Sequence, residues 1–228
     1  MPGTTNSVAV DGPPAPQYAH GMTVTLYYHP YSRAANVVWM LEEIGLAHEL
    51  HFVDLMKGAH KAPEIVALNP MGKLPILTDD NVVITESAAI GLYLADRYAA
   101  GRLAPALDDP RRGTYLRWTL FSPSVIEPGI GAKQGGWATK ESQVGWGNYD
   151  AMIRTFDVAI GKGPYLLGDM FSMADVIFGG TLRFMRMVKA FEPSPAVVAY
   201  TDRLSARPGA QRADARNAAI AKEHGLGH

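Results

Sequence analysis

Ser32 lies between an apolar, strand-like run at residues 23–28 and a helical pattern that begins a few residues later. A hydroxyl in such a turn can donate to an anion, helped by the N–H groups and dipole of the helix start. The same serine also suits a plain N-cap. Tyr28 ends the strand and offers a second hydroxyl, with packing inside the sheet as its other role. Further on, Asn69-Pro70-Met71-Gly72-Lys73-Leu74-Pro75-Ile76-Leu77 precedes Glu86-Ser87-Ala88-Ala89-Ile90. Pro75 cannot donate to a sheet ladder, so it marks an edge strand or a tight turn, of which a cis bond is one form. Such a turn aims backbone groups at a ligand. Glu86 and Ser87 open a predicted helix, where free N–H groups favour a carboxylate. The layout suits a small ligand with a peptide-like backbone and a carboxylate.

The surrounding elements follow from periodicity. Residues 23–28 are β-branched and aromatic, which predicts a strand. Val37, Met40, Leu41 and Ile44 recur at helical spacing, and Gly45 can close that helix. Residues 48–54 predict a second strand and 61–68 a short helix. The Pro75 strand, a turn at 79–81, a strand at 82–84, Thr85 as N-cap and a helix at 86–98 complete a β-α-β-α-β-β-α order. Beyond Gly101 the strand patterns vanish. Helices are predicted at 110–126, 140–160, 172–189 and 195–206, with a weaker one at 210–224. Ser172-Met173-Ala174-Asp175 is a capping-box-like start, which gives Ser172 and Asp175 a structural role.

The division is therefore a tail at 1–22, an α/β thioredoxin-like domain at 23–100 and an all-α domain at 106–228. Four prolines in the first 22 residues and no charged, then apolar, leader make the tail read as disordered, with Met22 a candidate start of the ordered protein. The chain has 228 residues and a net charge of −1, so no basic field invites nucleic acid or an anionic membrane. No apolar run approaches the ~20 residues of a spanning helix. The absence of cysteine excludes disulfides, a CxxC redox centre and a cysteine nucleophile, and it fits a cytoplasmic setting. No His/Cys cluster calls for a metal.

Taken together, these motifs resemble the cytosolic glutathione transferases. The segment LYYHPYSRAANVVWMLEE is similar to their β1-turn-α1 region in serine-type (phi-, theta- or beta-like) members, though without the cysteine that beta-type enzymes carry. The resemblance implies a catalytic hydroxyl at Ser32, with Tyr28 where tyrosine-type classes hold theirs. It implies that His60 and Lys61 meet the glycine end of glutathione, although alone they read as a solvated helix start. It implies that Lys73, Leu74 and a cis Pro75 pair with the cysteinyl group, and that Glu86 and Ser87 hold the γ-glutamyl end. An electrophile pocket is expected between the domains, with Tyr31, Tyr115, Trp118, Thr119, Ser122 and Ile126 as candidates, each also a candidate for the core. Arg33 is a candidate to steer a thiolate or carboxylate. The activity implied is transfer of the glutathione thiol to small apolar electrophiles by a homodimer, with glutathione as co-substrate and no cofactor. A non-catalytic binding or assembly module and a glutathione-dependent peroxide or disulfide reductase are the alternatives.

Overall fold

The computed structural model describes residues 24–161 and 163–227. The tail expected at 1–22 and the Met22 start lie outside them. The first half runs β1 (Val24–Tyr28), α1 (Ala34–Ile44), β2 (His48–Phe52), α2 (Pro63–Leu68), β3 (Ile76–Asp79), β4 (Val82–Thr85) and α3 (Ser87–Tyr98). The strands lie in the order β2-β1-β3-β4, with β1 and β2 parallel and the other pairs antiparallel. This is the thioredoxin-like sheet that the element order implies. Two boundaries differ from expectation. Thr85 ends β4, and Glu86 takes the cap of α3 with a left-handed φ of 67°. Residues 59–61 form a 3₁₀ turn before α2.

Helices fill the rest: α4 (Arg112–Phe121), α5 (Glu127–Gly135), α6 (Tyr149–Ile160), α7 (Gly180–Met187), α8 (Pro195–Ser205) and α9 (Pro208–Glu223). The predicted 110–126 helix does not stop at Ile126. A π-helical turn, Ser122–Ile126, joins α4 directly to α5. Pro123 and Pro128 read as helix ends in the sequence, yet the helix runs through both, each within two residues of a change between α and π turns. The predicted 140–160 helix starts late, at Tyr149. Gly145 and Gly147 break the earlier part, and the Asn148 side chain caps α6 by accepting from the Ala151 N–H at 2.8 Å.

The core is continuous across both halves. Helix α1 buries Val37, Val38, Trp39, Met40 and Leu41 and packs on β1, α3 and α9. Helix α9 gave a weak signal because its inner face is built from Gly209, Ala210 and Ala213. These small residues permit close approach: a Cβ on Gly209 would meet Glu43 Cδ at 2.7 Å.

Asp175, fully buried, organises the helical half. Its carboxylate accepts from the Leu166 N–H (2.8 Å), the Ser172 N–H (2.9 Å), the Ser172 hydroxyl (3.1 Å) and the Tyr200 hydroxyl (3.0 Å). Burial still pushes its carboxyl above the usual range. Asp175→Ala is expected to cost at least about 3 kcal/mol, because it strands several buried donors at once. Urea unfolding of the variant checks this; a loss under about 1 kcal/mol contradicts it.

Candidate functional site

The β1–α1 turn presents Ser32 at the rim of the sheet. Its hydroxyl donates to the His29 carbonyl at 2.8 Å and accepts the Ala34 N–H at 3.2 Å. The Ser32 N–H also donates to the His29 carbonyl, at 3.0 Å. His29 is fully buried, and its Nδ1 accepts the Tyr31 N–H at 3.1 Å. Burial lowers the pKa of His29, which favours the neutral ring that this acceptor role requires. His29 is a site residue that the sequence patterns above do not single out. The signal was its place three residues before the serine.

Opposite Ser32 stands a wall made by the loop 69–75 and the start of α3. Asn69, 4% exposed, accepts the Met71 N–H (3.1 Å) and donates to the Lys73 carbonyl (3.0 Å). Gly72 has φ of 56°, and a Cβ there would lie 2.9 Å from the His60 carbonyl oxygen, so only glycine fits. The Leu74–Pro75 bond is cis. Among the described residues, neither the N–H nor the C=O of Leu74 has a hydrogen-bond partner. The N–H groups of Ser87, Ala88 and Ala89 at the start of α3 have no intrahelical partner either, since the first such bond is from Ile90 to Glu86.

Between these walls and the helices runs a cleft of about 1240 Å³. It is lined by Tyr31, Ser32, Arg33, Lys73, Leu74, Pro75, Glu86 and Ser87, and on the far side by Ser122, Glu127, Ile177, Phe184 and Met187. Arg33 crosses the cleft. Its Nε lies 3.2 Å from Glu127 Oε1, and its guanidinium lies 4.3 Å from the Phe184 ring centre. Glu127, Phe184 and Met187 escaped the sequence reading because nothing local marks which helix faces the cleft.

Several expected residues lie elsewhere. Tyr28 is fully buried in the sheet and does not line the cleft; burial pushes its hydroxyl up to about 12. Tyr115, Trp118, Thr119 and Ile126 belong to the helical core rather than to the cleft wall. Helix α4 turns that face inward, and Trp118 packs edge-on against Phe121 and Phe178. His60 and Lys61 stand behind the wall, where Lys61 Nζ donates to the Met71 carbonyl at 3.0 Å and so braces the loop. Among the described residues no cluster of His, Asp and Glu could hold a metal, and no helix is long and apolar enough to cross a membrane.

The glutathione S-transferase N-terminal domain family matches residues 22–96, and the corresponding C-terminal domain family matches 98–206. A wheat protein, glutathione S-transferase 1, is 30% identical over 83% of this chain and 92% of its own length. The chain belongs to the glutathione S-transferase family. Maize glutathione S-transferase 3 is likewise 30% identical, over 82% of this chain and 91% of the maize protein. Among solved structures, a glutathione transferase from Phanerochaete chrysosporium in complex with oxidised glutathione aligns with a TM-score of 0.73 and 27% identity. That alignment covers 88% of this chain and 99% of the other. One from Burkholderia graminis, with two glutathione molecules per subunit, aligns at 0.69 and 27%, over 86% and 89%.

In this glutathione transferase the Ser32 turn is fixed through His29. His29→Leu removes the acceptor of the Tyr31 N–H and is expected to lower kcat about tenfold, equivalent to one hydrogen bond. His29→Asn should stay within about threefold of wild type, since an asparagine side chain can accept the N–H two residues on. Steady-state kinetics with glutathione and a chlorinated nitroarene tests both; a fully active leucine variant contradicts this role.

Proposed function

We propose that this glutathione transferase joins the glutathione thiolate to small apolar electrophiles, with Ser32 as the hydroxyl that holds the sulfur. The carrying observation is that Ser32, the unpaired Leu74 backbone and the N-terminus of α3 face one cleft. A free thiol of pKa near 8.5 is mostly protonated at neutral pH. Lowering it by about two units requires ~2.7 kcal/mol. The Ser32 hydroxyl contributes when its hydrogen leaves the neutral His29 carbonyl for the anionic sulfur, a stronger acceptor. The Ala34 N–H stays on the serine oxygen and polarises it. The start of α1 adds its dipole. Nucleophilicity falls with pKa, so the remaining rate comes from holding the electrophile beside the sulfur.

The rest of glutathione follows the wall. Leu74 N–H and C=O pair with the cysteinyl amide. Ser87 and the N–H groups of α3 take the γ-glutamyl carboxylate, and Glu86 takes its ammonium group. Lys73, whose side chain is exposed at the cleft, takes the glycine carboxylate, with Lys61 bracing the loop. Glutathione is a co-substrate, and no step requires a metal or organic cofactor. A second reading, glutathione-dependent disulfide reduction, draws support from the roominess of the cleft and from the relative that holds oxidised glutathione. Turnover of a model alkyl disulfide without any thioether product would favour it.

Ser32→Ala is expected to reduce kcat/KM for conjugation about 100-fold, the size of losing one donor to a developing or bound anion. Tyr28→Phe should remain within about threefold, and the wild-type pH profile should show no step from Tyr28 below about pH 12. Equal losses in both variants would return Tyr28 to the mechanism.

We also propose a cytoplasmic homodimer, consistent with the prevalence of twofold assemblies. Light scattering at micromolar concentration should return twice the chain mass; the mass of one chain rejects the dimer.

A further inference from the structure

Helix α9 ends in a turn that comes back onto the β1–α1 segment. Gly225 has a φ of 63°. The Leu226 N–H donates to the Ala221 carbonyl at 2.9 Å, and the Gly225 N–H donates to the Lys222 carbonyl at 3.1 Å. These two bonds around a left-handed glycine reverse the chain at a helix end. The reversal carries Leu226 and Gly227 to Tyr31. The Tyr31 hydroxyl donates to the Leu226 carbonyl at 3.3 Å and lies 3.5 Å from the Gly227 carbonyl. Tyr31 lines the cleft beside Ser32.

A second route starts one residue before the turn. The His224 ring lies flat on the Phe52 ring, with centres 3.6 Å apart and planes 8° apart. Phe52 ends β2, and its ring centre is 5.4 Å from that of His29. The His29 ring meets the Tyr31 ring edge-on at 5.7 Å. The contacts therefore form a closed circuit: Tyr31, His29, Phe52, His224, the carbonyls of the turn, and Tyr31 again. His29 depends on that circuit. Its Nδ1 accepts the Tyr31 N–H at 3.1 Å, and among the described residues its buried Nε2 has no hydrogen-bond partner. A single hydrogen bond leaves the ring free to tilt, so the neighbouring rings set its tilt. The His29 carbonyl in turn receives the Ser32 hydroxyl.

We infer that His224 is a positioning residue for the sulfur site, acting through Phe52 and His29 on the turn that carries Ser32. The inference rests on the Ser32 reading above. His224 is not among the residues that line the cleft, so it acts without touching glutathione or the electrophile. Its effect falls on the Ser32 hydroxyl, and so on thiolate stabilisation. The loop 69–75 and the start of α3, which hold the rest of glutathione, stand outside the circuit.

The test reads the thiol pKa of enzyme-bound glutathione from its ultraviolet thiolate absorbance, together with kcat and the KM for glutathione. His224 is exposed, so its variants leave the buried core intact. For His224→Ala the thiol pKa is expected to rise by at least about half a unit, and kcat to fall about threefold to tenfold, the range of one lost ring contact. The KM for glutathione should stay within about twofold of wild type. His224→Phe keeps the stack and should restore both values. Gly225→Val is strained in the left-handed turn and should act as His224→Ala does, whereas Gly225→Asn should behave as wild type. Unchanged values in His224→Ala overturn the inference, as does a loss that His224→Phe fails to restore. Ser32→Ala is measured alongside. A shifted thiol there with none in His224→Ala rejects the positioning role alone, and no shift in either rejects the Ser32 reading with it.

Discussion

Everything in the cleft depends on where helix α1 is held. That helix is buried on the sheet side and on the helical side alike, and the turn leading into it carries Ser32 and Arg33. Glu43, near its end and 7% exposed in its side chain, receives a two-pronged contact from Arg207 at 2.8 and 2.9 Å. The same carboxylate accepts the Trp39 indole N–H at 2.9 Å. Arg207 also lies 3.3 Å above the Phe171 ring centre. An arginine fork on a largely buried carboxylate has strong geometric demands. It fixes the helical half against α1, and so fixes the far wall of the cleft against Ser32.

From that constraint the two sides of the chemistry separate. The sheet side offers backbone groups and a helix N-terminus, which suit a peptide-like, anionic ligand. The helical side offers apolar side chains, with Glu127 reaching across to Arg33. Ser32 stands at the boundary, and its hydroxyl is currently spent on the His29 carbonyl. A neutral carbonyl is a weaker acceptor than a thiolate, so the exchange favours the bound anion. The fully buried Tyr28 has no comparable access.

Much of the sheet half was legible because its signals are local. Apolar, β-branched and aromatic runs marked the strands, Pro75 marked the turn, and Glu86-Ser87 marked a helix start. The loop 69–75 could be read as a ligand wall because proline and glycine there leave few backbone options. The helical half was harder. Its α4–α5 junction depends on a π turn, and prolines at 123 and 128 imitate a helix end. Helix α9 packs through alanine and glycine, which carry little periodic signal. The orientation of α4 had two open readings: Tyr115, Trp118 and Thr119 are apolar or amphipathic whichever way they face, and only tertiary packing turns them into the core. Ser122, at the start of the π turn, borders the cleft and is just as buried.

The central claim is that Ser32 lowers the pKa of the bound thiol. The direct measurement is a pH titration of the ultraviolet thiolate absorbance of enzyme-bound glutathione, in wild type and in Ser32→Ala. The account expects the wild-type thiol to titrate about two units below the free one, and the variant to recover most of that difference. Equal values in the two proteins would contradict it.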